Sequence, residues 1–353
     1  MSKYWGNIVE KLMPYTPGEQ PKDLDLLKLN TNENPFGPSP RVLNEIKKNC
    51  KDHLRLYPDP ESLELKKSLA EHHNLSRESV FVSNGSDESL AFIFQALLKK
   101  DKPILFPDIT YSFYPVYCQL YEIKYEQIPL DQNFNINLDD YLVENGGIIF
   151  PNPNAPTGIP KSLKDVEGLL INNNHSVIVV DEAYVDFGTS SAIKLINKYE
   201  NLIVTQSFSK GRSLAGMRLG CAFANPNLIE ALNRIKNSFN SYPIDRLAQT
   251  SAIASIADGV YFEENCNKVI EARLYLQEQL KIMEFDILPS GANFIFTKHK
   301  NVSGKNLFNE LRKNKILVRH FNSPERISNY LRITIGTMNQ MHKLVSVIKE
   351  IVK

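Results

Sequence analysis

The sequence predicts an α/β protein: a mostly parallel, doubly wound sheet flanked by helices, followed by a smaller α/β unit. Three observations carry that expectation. Short β-branched runs alternate with longer segments whose apolar residues recur at helical spacing. Several short runs, such as Ile148-Ile149-Phe150 and Val177-Ile178-Val179-Val180, are continuously apolar, as strands buried on both faces are. After about Phe239 the texture changes to long amphipathic helical stretches with few further strand-like runs.

Taken in order, the first 44 residues are rich in Asn and Pro and read as an extended arm. Ser79 to Ser83 is a strand, Asn84-Gly85-Ser86-Asp87 a turn and helix cap, and Glu88 to Lys99 a helix. A strand follows at Pro103 to Phe106. Between the apolar runs at 148–150 and 176–180, Ser162 to Asn172 carries Leu163, Val166, Leu169 and Leu170 at helical spacing. Leu202-Ile203-Val204 and Gly220 to Ala224 complete the sheet. Patterns over 244–258 and 260–284 predict two helices, Asn293 to Phe296 and Leu331 to Ile335 two strands, and a last helix runs from Met338. No Pro/Gly/Ser linker marks a boundary, so it falls within helical material. The resulting division is an arm at 1–44 that joins the small domain, a large domain at 45–245 and a small one at 246–353. No repeat or low-complexity segment interrupts it.

Composition narrows the class. The chain has 353 residues, 42% hydrophobic and 23% charged, which suits a globular protein of about two domains. With 41 Lys+Arg against 40 Asp+Glu, the net charge of +1 offers no footprint for nucleic acid or an anionic membrane. No apolar run approaches the ~20 residues of a spanning helix. The polar, aromatic start lacks the apolar stretch of a signal peptide, and a cytoplasmic protein is expected. Cys50, Cys118, Cys221 and Cys266 lie far apart without a C-x-x-C, a reduced usage with no metal spacing. Neither G-x-G-x-x-G nor the P-loop pattern is present.

Ligands of open α/β sheets bind at the carboxyl ends of strands, and four such segments carry reactive groups. Gly85-Ser86-Asp87 opens a helix whose free N–H groups suit a phosphate, although an ordinary cap reads the same way. Pro151-Asn152-Pro153-Asn154-Ala155-Pro156-Thr157-Gly158 is a long turn. Asp181 leaves a buried strand, where a carboxylate is costly unless paired, so a cationic partner is expected; the alternative is a strand-end cap. Tyr184, three residues on, taken alone fits a core tyrosine. Ser207, Ser209 and Lys210 stand eight to eleven residues before Arg218, among small residues that permit close backbone approach.

With these segments in view, the chain resembles the fold-type I enzymes dependent on pyridoxal 5′-phosphate (PLP), and within them the histidinol-phosphate aminotransferases. Ser207-Phe208-Ser209-Lys210 with Arg218 matches the family's cofactor-lysine block, and Asp181 to Phe187 its pyridine-nitrogen block. Leu29-Asn30-Thr31-Asn32-Glu33-Asn34-Pro35, Leu56-Tyr57-Pro58-Asp59-Pro60, Asn84 to Glu88, and Leu331-Arg332-Ile333-Thr334 carry the narrower likeness, in the family's order along nearly the whole chain. The resemblance implies that Lys210 bears PLP covalently and then moves the substrate proton, and that Asp181 pairs with the ring nitrogen. Tyr184 and Asn154 would bond the ring O3′ and Tyr111 would stack on the ring. Gly85, Ser86, Asp87, Ser207, Ser209 and Arg218 would hold the phosphate, with Tyr57 reaching the partner subunit's cofactor in a homodimer. Tyr15, Asn32, Arg319 and Arg332 would bind substrate, Arg332 at the carboxylate and Arg319 at the substrate phosphate. The sequence departs from the pattern at Ala155, where the family has asparagine. Either Asn154 takes over through a shifted turn, which is the expectation, or that bond is missing.

The activity implied is transamination between L-histidinol phosphate and 2-oxoglutarate, with L-glutamate as product, in histidine biosynthesis. A threonine-phosphate decarboxylase-like lyase and a broader aromatic aminotransferase share the same blocks. A non-enzymatic PLP-binding regulator does not need this full set.

Overall fold

The computed structural model describes residues 2–21 and 25–353. The arm contains the short helix α1 (Asn7–Lys11) and the two-residue strand β1 (Leu27–Lys28). Helices α2 (Pro40–Asn49) and α3 (Leu63–His73) lead into the first sheet strand. Ser39 caps α2 by accepting from the Val42 amide, with Pro40 in the first turn, where its missing N–H costs nothing.

The large sheet is formed by β2 (Val80–Asn84), β3 (Ile104–Pro107), β4 (Tyr125–Ile128), β5 (Gly147–Pro151), β6 (Ile178–Asp181), β7 (Leu202–Ser207) and β8 (Leu219–Ala224). Their order is β2-β8-β7-β6-β5-β3-β4. All pairings are parallel except those of β8, which runs antiparallel to both neighbours. The cause lies in chain length. The segment 208–218 between β7 and β8 contains one short 3₁₀ turn and is too short for a crossover helix, so the chain must double back. That return segment carries Lys210 and Arg218.

Helices α4 (Ser86–Ile93), α5 (Tyr114–Tyr121), α6 (Leu163–Asn172), α7 (Pro226–Phe239) and α8 (Arg246–Ile256) cover the two faces. Period-two alternation sorts the strand residues. Phe81, Phe106, Ile149, Val179 and Ile203 face the layer of α4, α5 and α7. Val80, Val82, Leu105, Ile148, Val180 and Val204 face that of α2, α3, α6 and α8. Ala248, Ala252 and Ile256 thus place α8 in the core of the large sheet.

Helix α9 (Gly259–Ile282) begins a second core. Strands β9 (Phe285–Ile287), β10 (Phe294–His299), β12 (Arg319–His320) and β13 (Leu331–Thr334) form an antiparallel sheet of order β12-β13-β10-β9. It is backed by α9, α10 (Gly304–Lys313) and α11 (Met338–Ile351). Strand β11 (Ile316–Leu317) pairs in parallel with β1, which ties the arm to this second unit. In β12 and β13, Arg319 lies directly opposite Arg332.

Candidate active site

The carboxyl ends of β3, β5, β6 and β7 and the start of α4 open onto one cavity of about 640 Å³, within the range of small-molecule sites. The arm roofs it with Tyr15, Pro17, Gly18, Gln20 and Thr31 to Glu33, and the second sheet closes it with Arg319, Phe321 and Arg332.

The floor is Asp181, 4% exposed at the end of β6. Its Oδ2 accepts from the Tyr114 hydroxyl (3.0 Å) and its Oδ1 from the Thr205 hydroxyl (3.2 Å). Burial pushes its pKa up to about 6, against the lowering effect of those two hydrogen bonds. Both side-chain donors to this carboxylate are neutral hydroxyls, from α5 and β7, and neither is the cation expected from the sequence. Asp181 is thus a desolvated acceptor that still lines the cavity. The neighbouring Glu182 turns away from it. It accepts from Ser191 Oγ (2.6 Å), the Ala192 amide (2.6 Å) and Gln206 (3.0 Å), and so fixes the loop behind Asp181.

Lys210 lines the cavity, and its Nζ donates to the Thr31 carbonyl (3.1 Å). Asn34 Nδ2 donates to the Lys210 carbonyl (2.9 Å), so the arm grips this residue at both ends. Tyr184 packs edge-on against Phe294, with ring centroids 5.0 Å apart. Its hydroxyl oxygen accepts from Asn32 Nδ2 (3.1 Å), which leaves the hydroxyl hydrogen for the cavity. Asn32 is itself locked by Thr334 Oγ1, which bonds both its amide N–H and its Oδ1 at 3.0 Å.

At the other end, Gly85 (φ +80°) turns the chain from β2 into α4. A Cβ there would stand 2.5 Å from the Arg218 guanidinium, and one on Gly220 would strike the Ser86 amide at 2.2 Å. Both glycines are therefore required for the helix start and the guanidinium to share one cradle. Ser207 and Ser209 line the same end, with the Ser209 amide donating to Ser207 Oγ (3.1 Å). Asp87 accepts from Arg218 (3.3 Å) and from the Tyr111 hydroxyl (2.8 Å), which fixes the Tyr111 ring at the wall. Burial, then Asp87, hold that phenol well above its ordinary pKa.

At the end closed by the second sheet, Arg332 donates to the Asn30 carbonyl (2.9 Å), while its Nε is buried with no partner among the described residues. Burial and the adjacent Arg319 disfavour its charged form. Two guanidinium groups facing one another with an unsatisfied N–H call for an anion. Tyr15 stacks near Phe113 (4.8 Å) at the rim.

Two expected residues stand elsewhere. Asn154 is 1% exposed and does not line the cavity. Its amide donates to the Ile109 carbonyl (2.9 Å) and Thr157 (3.2 Å), and its Oδ1 accepts from Thr110 (3.0 Å). Ala155 faces the cavity instead, so the turn is not shifted as expected. Tyr57 is 78% exposed on the surface, stacked on Tyr242 at 4.7 Å. Conversely, Tyr114, Thr205 and Glu33 escaped the sequence reading of the site. The local signals were the position of Tyr114, three residues beyond Tyr111 at the start of α5, and that of Glu33 within the Leu29 to Pro35 block.

The residues present fit PLP. The cavity offers an amine, a buried acceptor carboxylate for a ring N–H, a free phenol hydrogen and a cradle for a dianion at spaced positions. An aminotransferase class I and II family model matches residues 25–348, and the chain belongs to that family. Within it, the chain belongs to the histidinol-phosphate aminotransferases. It is 54% identical to histidinol-phosphate aminotransferase 1 of Hydrogenovibrio crunogenus over 100% of this chain and 99% of that one. It is 56% identical to histidinol-phosphate aminotransferase of Pseudomonas putida over 96% and 98%. The solved histidinol-phosphate aminotransferase from Sinorhizobium meliloti, in complex with pyridoxal-5′-phosphate, has the same fold: TM-score 0.89, 22% identity, 100% of this chain and 98% of that one.

Proposed function

We propose that the chain is a PLP-dependent enzyme that transfers the amino group of L-histidinol phosphate to 2-oxoglutarate, giving imidazole acetol phosphate and L-glutamate, in histidine biosynthesis. The observation that carries the reading is the register of Arg319 opposite Arg332 at the mouth of the cavity holding Lys210 and Asp181. One substrate has a phosphate and no α-carboxylate, the other two carboxylates. Planar guanidinium forks accept either anion in one pocket.

Bound PLP supplies the electron sink for the charge that forms when the substrate Cα–H bond breaks. The chain does the rest. Lys210 Nζ would hold the cofactor and, once displaced by the substrate amine, would take the Cα proton and return it two atoms away, on the far side of the substrate nitrogen. Asp181 keeps a proton on the ring nitrogen, and its desolvation makes that pairing stronger. Tyr184 donates to the ring oxygen, with Asn32 setting its orientation. The Ser86 and Asp87 amides, Gly85, Ser207, Ser209 and Arg218 hold the phosphate, while the Tyr111 ring covers the cofactor face. Tyr15 and the arm exclude water.

The same proposal includes a cytoplasmic homodimer in which Tyr57, exposed with Leu54 and Leu56 on one segment, reaches the partner's cofactor phosphate. The division between domains is placed after α8, near Asp258, instead of at 245/246, on the strength of α8 sharing its core with α2 and α3. Among the described residues no helix is long and apolar enough to cross a membrane.

The test is to incubate holoenzyme with L-glutamate alone and measure 2-oxoglutarate. One equivalent per site is expected, followed by turnover on adding imidazole acetol phosphate. A threonine-phosphate decarboxylase-like enzyme would instead release carbon dioxide from its own substrate and leave glutamate unchanged.

A further inference from the structure

Among the described residues three acids line the cavity. Asp181 is the floor, and Asp87 is tied to Arg218 and Tyr111. Glu33 has no part in the roles given so far. It sits on the arm at the substrate side, its side chain 39% exposed, between the Lys28 ammonium and the Thr31 hydroxyl. Burial raises its pKa, but the Lys28 and Thr31 contacts and the field of Lys210 outweigh that, so it is a carboxylate at neutral pH.

A carboxylate costs something at a site that must receive anions. Its presence calls for a donor on the ligand. Lys28 occupies Oε1 and Thr31 occupies Oε2, and each oxygen keeps a further lone pair. The groups of the substrate leave one candidate. The amine reacts at Lys210, the phosphate goes to the arginines, and the imidazole carries an N–H that loses its water on entering the cavity and needs an acceptor. We propose that Glu33 accepts this imidazole N–H and is the residue that selects an imidazole over a hydrocarbon ring. The proposal rests on the histidinol-phosphate reading above.

The experiment compares wild-type and Glu33→Gln holoenzyme in single-turnover half-reactions with L-histidinol phosphate, the phosphate ester of L-phenylalaninol, and L-glutamate. Glu33→Gln should lower kcat/KM for histidinol phosphate on the order of 10–100-fold, chiefly through KM. The other two donors should change less than about threefold, so the wild-type preference for the imidazole ring shrinks. Glu33→Asp keeps the charge but retracts it by one methylene, and should fall between the two. An equal loss on all three donors would overturn the proposal and make Glu33 a support for Thr31 and Lys210. An unchanged preference between the two phosphate esters would also overturn it. Wild-type enzyme that converts glutamate but ignores histidinol phosphate overturns the functional reading itself, and the imidazole contact with it.

Discussion

Lys210 is the only lysine lining the cavity among the described residues, and its Nζ rests on a backbone carbonyl that a bound cofactor would replace. Lys210→Ala should therefore abolish covalent PLP attachment; borohydride reduction followed by peptide mapping checks it, and PLP on another lysine contradicts it. Asp181 allows a sharper test through stability. Its carboxyl rises from 3.8 to about 6 in the folded chain. A raised carboxyl pKa favours the fold fully below the unfolded value, and the benefit is lost as pH rises through about 6. Apoprotein carrying Asp181→Asn should then gain on the order of 1–3 kcal/mol over wild type at pH 8 and little at pH 4. Urea unfolding at the two pH values reads this, and an equal change at both would refute it. The same variant with PLP should lose most of its rate of proton transfer. The arginines should differ in kind. Arg332→Ala should weaken both half-reactions, whereas Arg319→Ala should weaken that of histidinol phosphate by one to two decades more than that of glutamate, the ~1.5–3 kcal/mol of a charge-assisted bond. Equal losses would remove the phosphate role.

At the scale of elements, the turn from β2 into α4 and the return from β7 to β8 share a cradle that excludes a methyl group at Gly85. Gly85→Ala must both displace the Arg218 guanidinium and hold alanine at positive φ. PLP affinity should fall at least tenfold, or ~1.4 kcal/mol, as measured by fluorescence titration, while the far-ultraviolet dichroism stays unchanged. Affinity within twofold of wild type would mean the cradle is not the phosphate site. The elements around this cradle were readable in the sequence because strand ends and helix starts carry local signals, as at Val177 to Asp181 and at Gly85. Helix α7 was not read, although Asn225-Pro226 offers a cap with proline in the first turn. The direction of β8 was missed because it follows from connection length, which no periodicity records. Tyr114 and Thr205 meet at Asp181 from separate elements, and Asn154 turns inward because Ile109, Thr110 and Thr157 satisfy it. Those are matters of tertiary placement, and a spacing rule cannot contain them.

At the scale of the whole molecule, Tyr57 is the one expected site residue that stands at the open surface instead of at the cavity or buried beside it. Its loop is nonetheless held firmly, with Arg246 donating to the Tyr57 carbonyl (3.0 Å) and Lys236 to that of Pro60 (2.9 Å). Mixed dimers test what it serves. Lys210→Ala and Tyr57→Ala proteins, unfolded and refolded together, should recover activity above the sum of the two parents, because one site in each hybrid is then complete. Strict additivity would place Tyr57 outside the partner's site. The roof of the cavity has a different consequence. Asn32 bonds Thr334 across 302 residues of chain, and β1 finds its only sheet partner among the described residues in β11. During synthesis at ~5–20 residues per second, the seven-stranded sheet has all its strands while the arm still lacks both of these partners. Leu27 and Leu29 then wait on the order of ten seconds for the later part of their apolar core, Leu307 to Leu344, to emerge. The ribosome therefore delivers this cavity floor first and roof last, and the nascent arm is the stretch of this chain that a chaperone has most time to find.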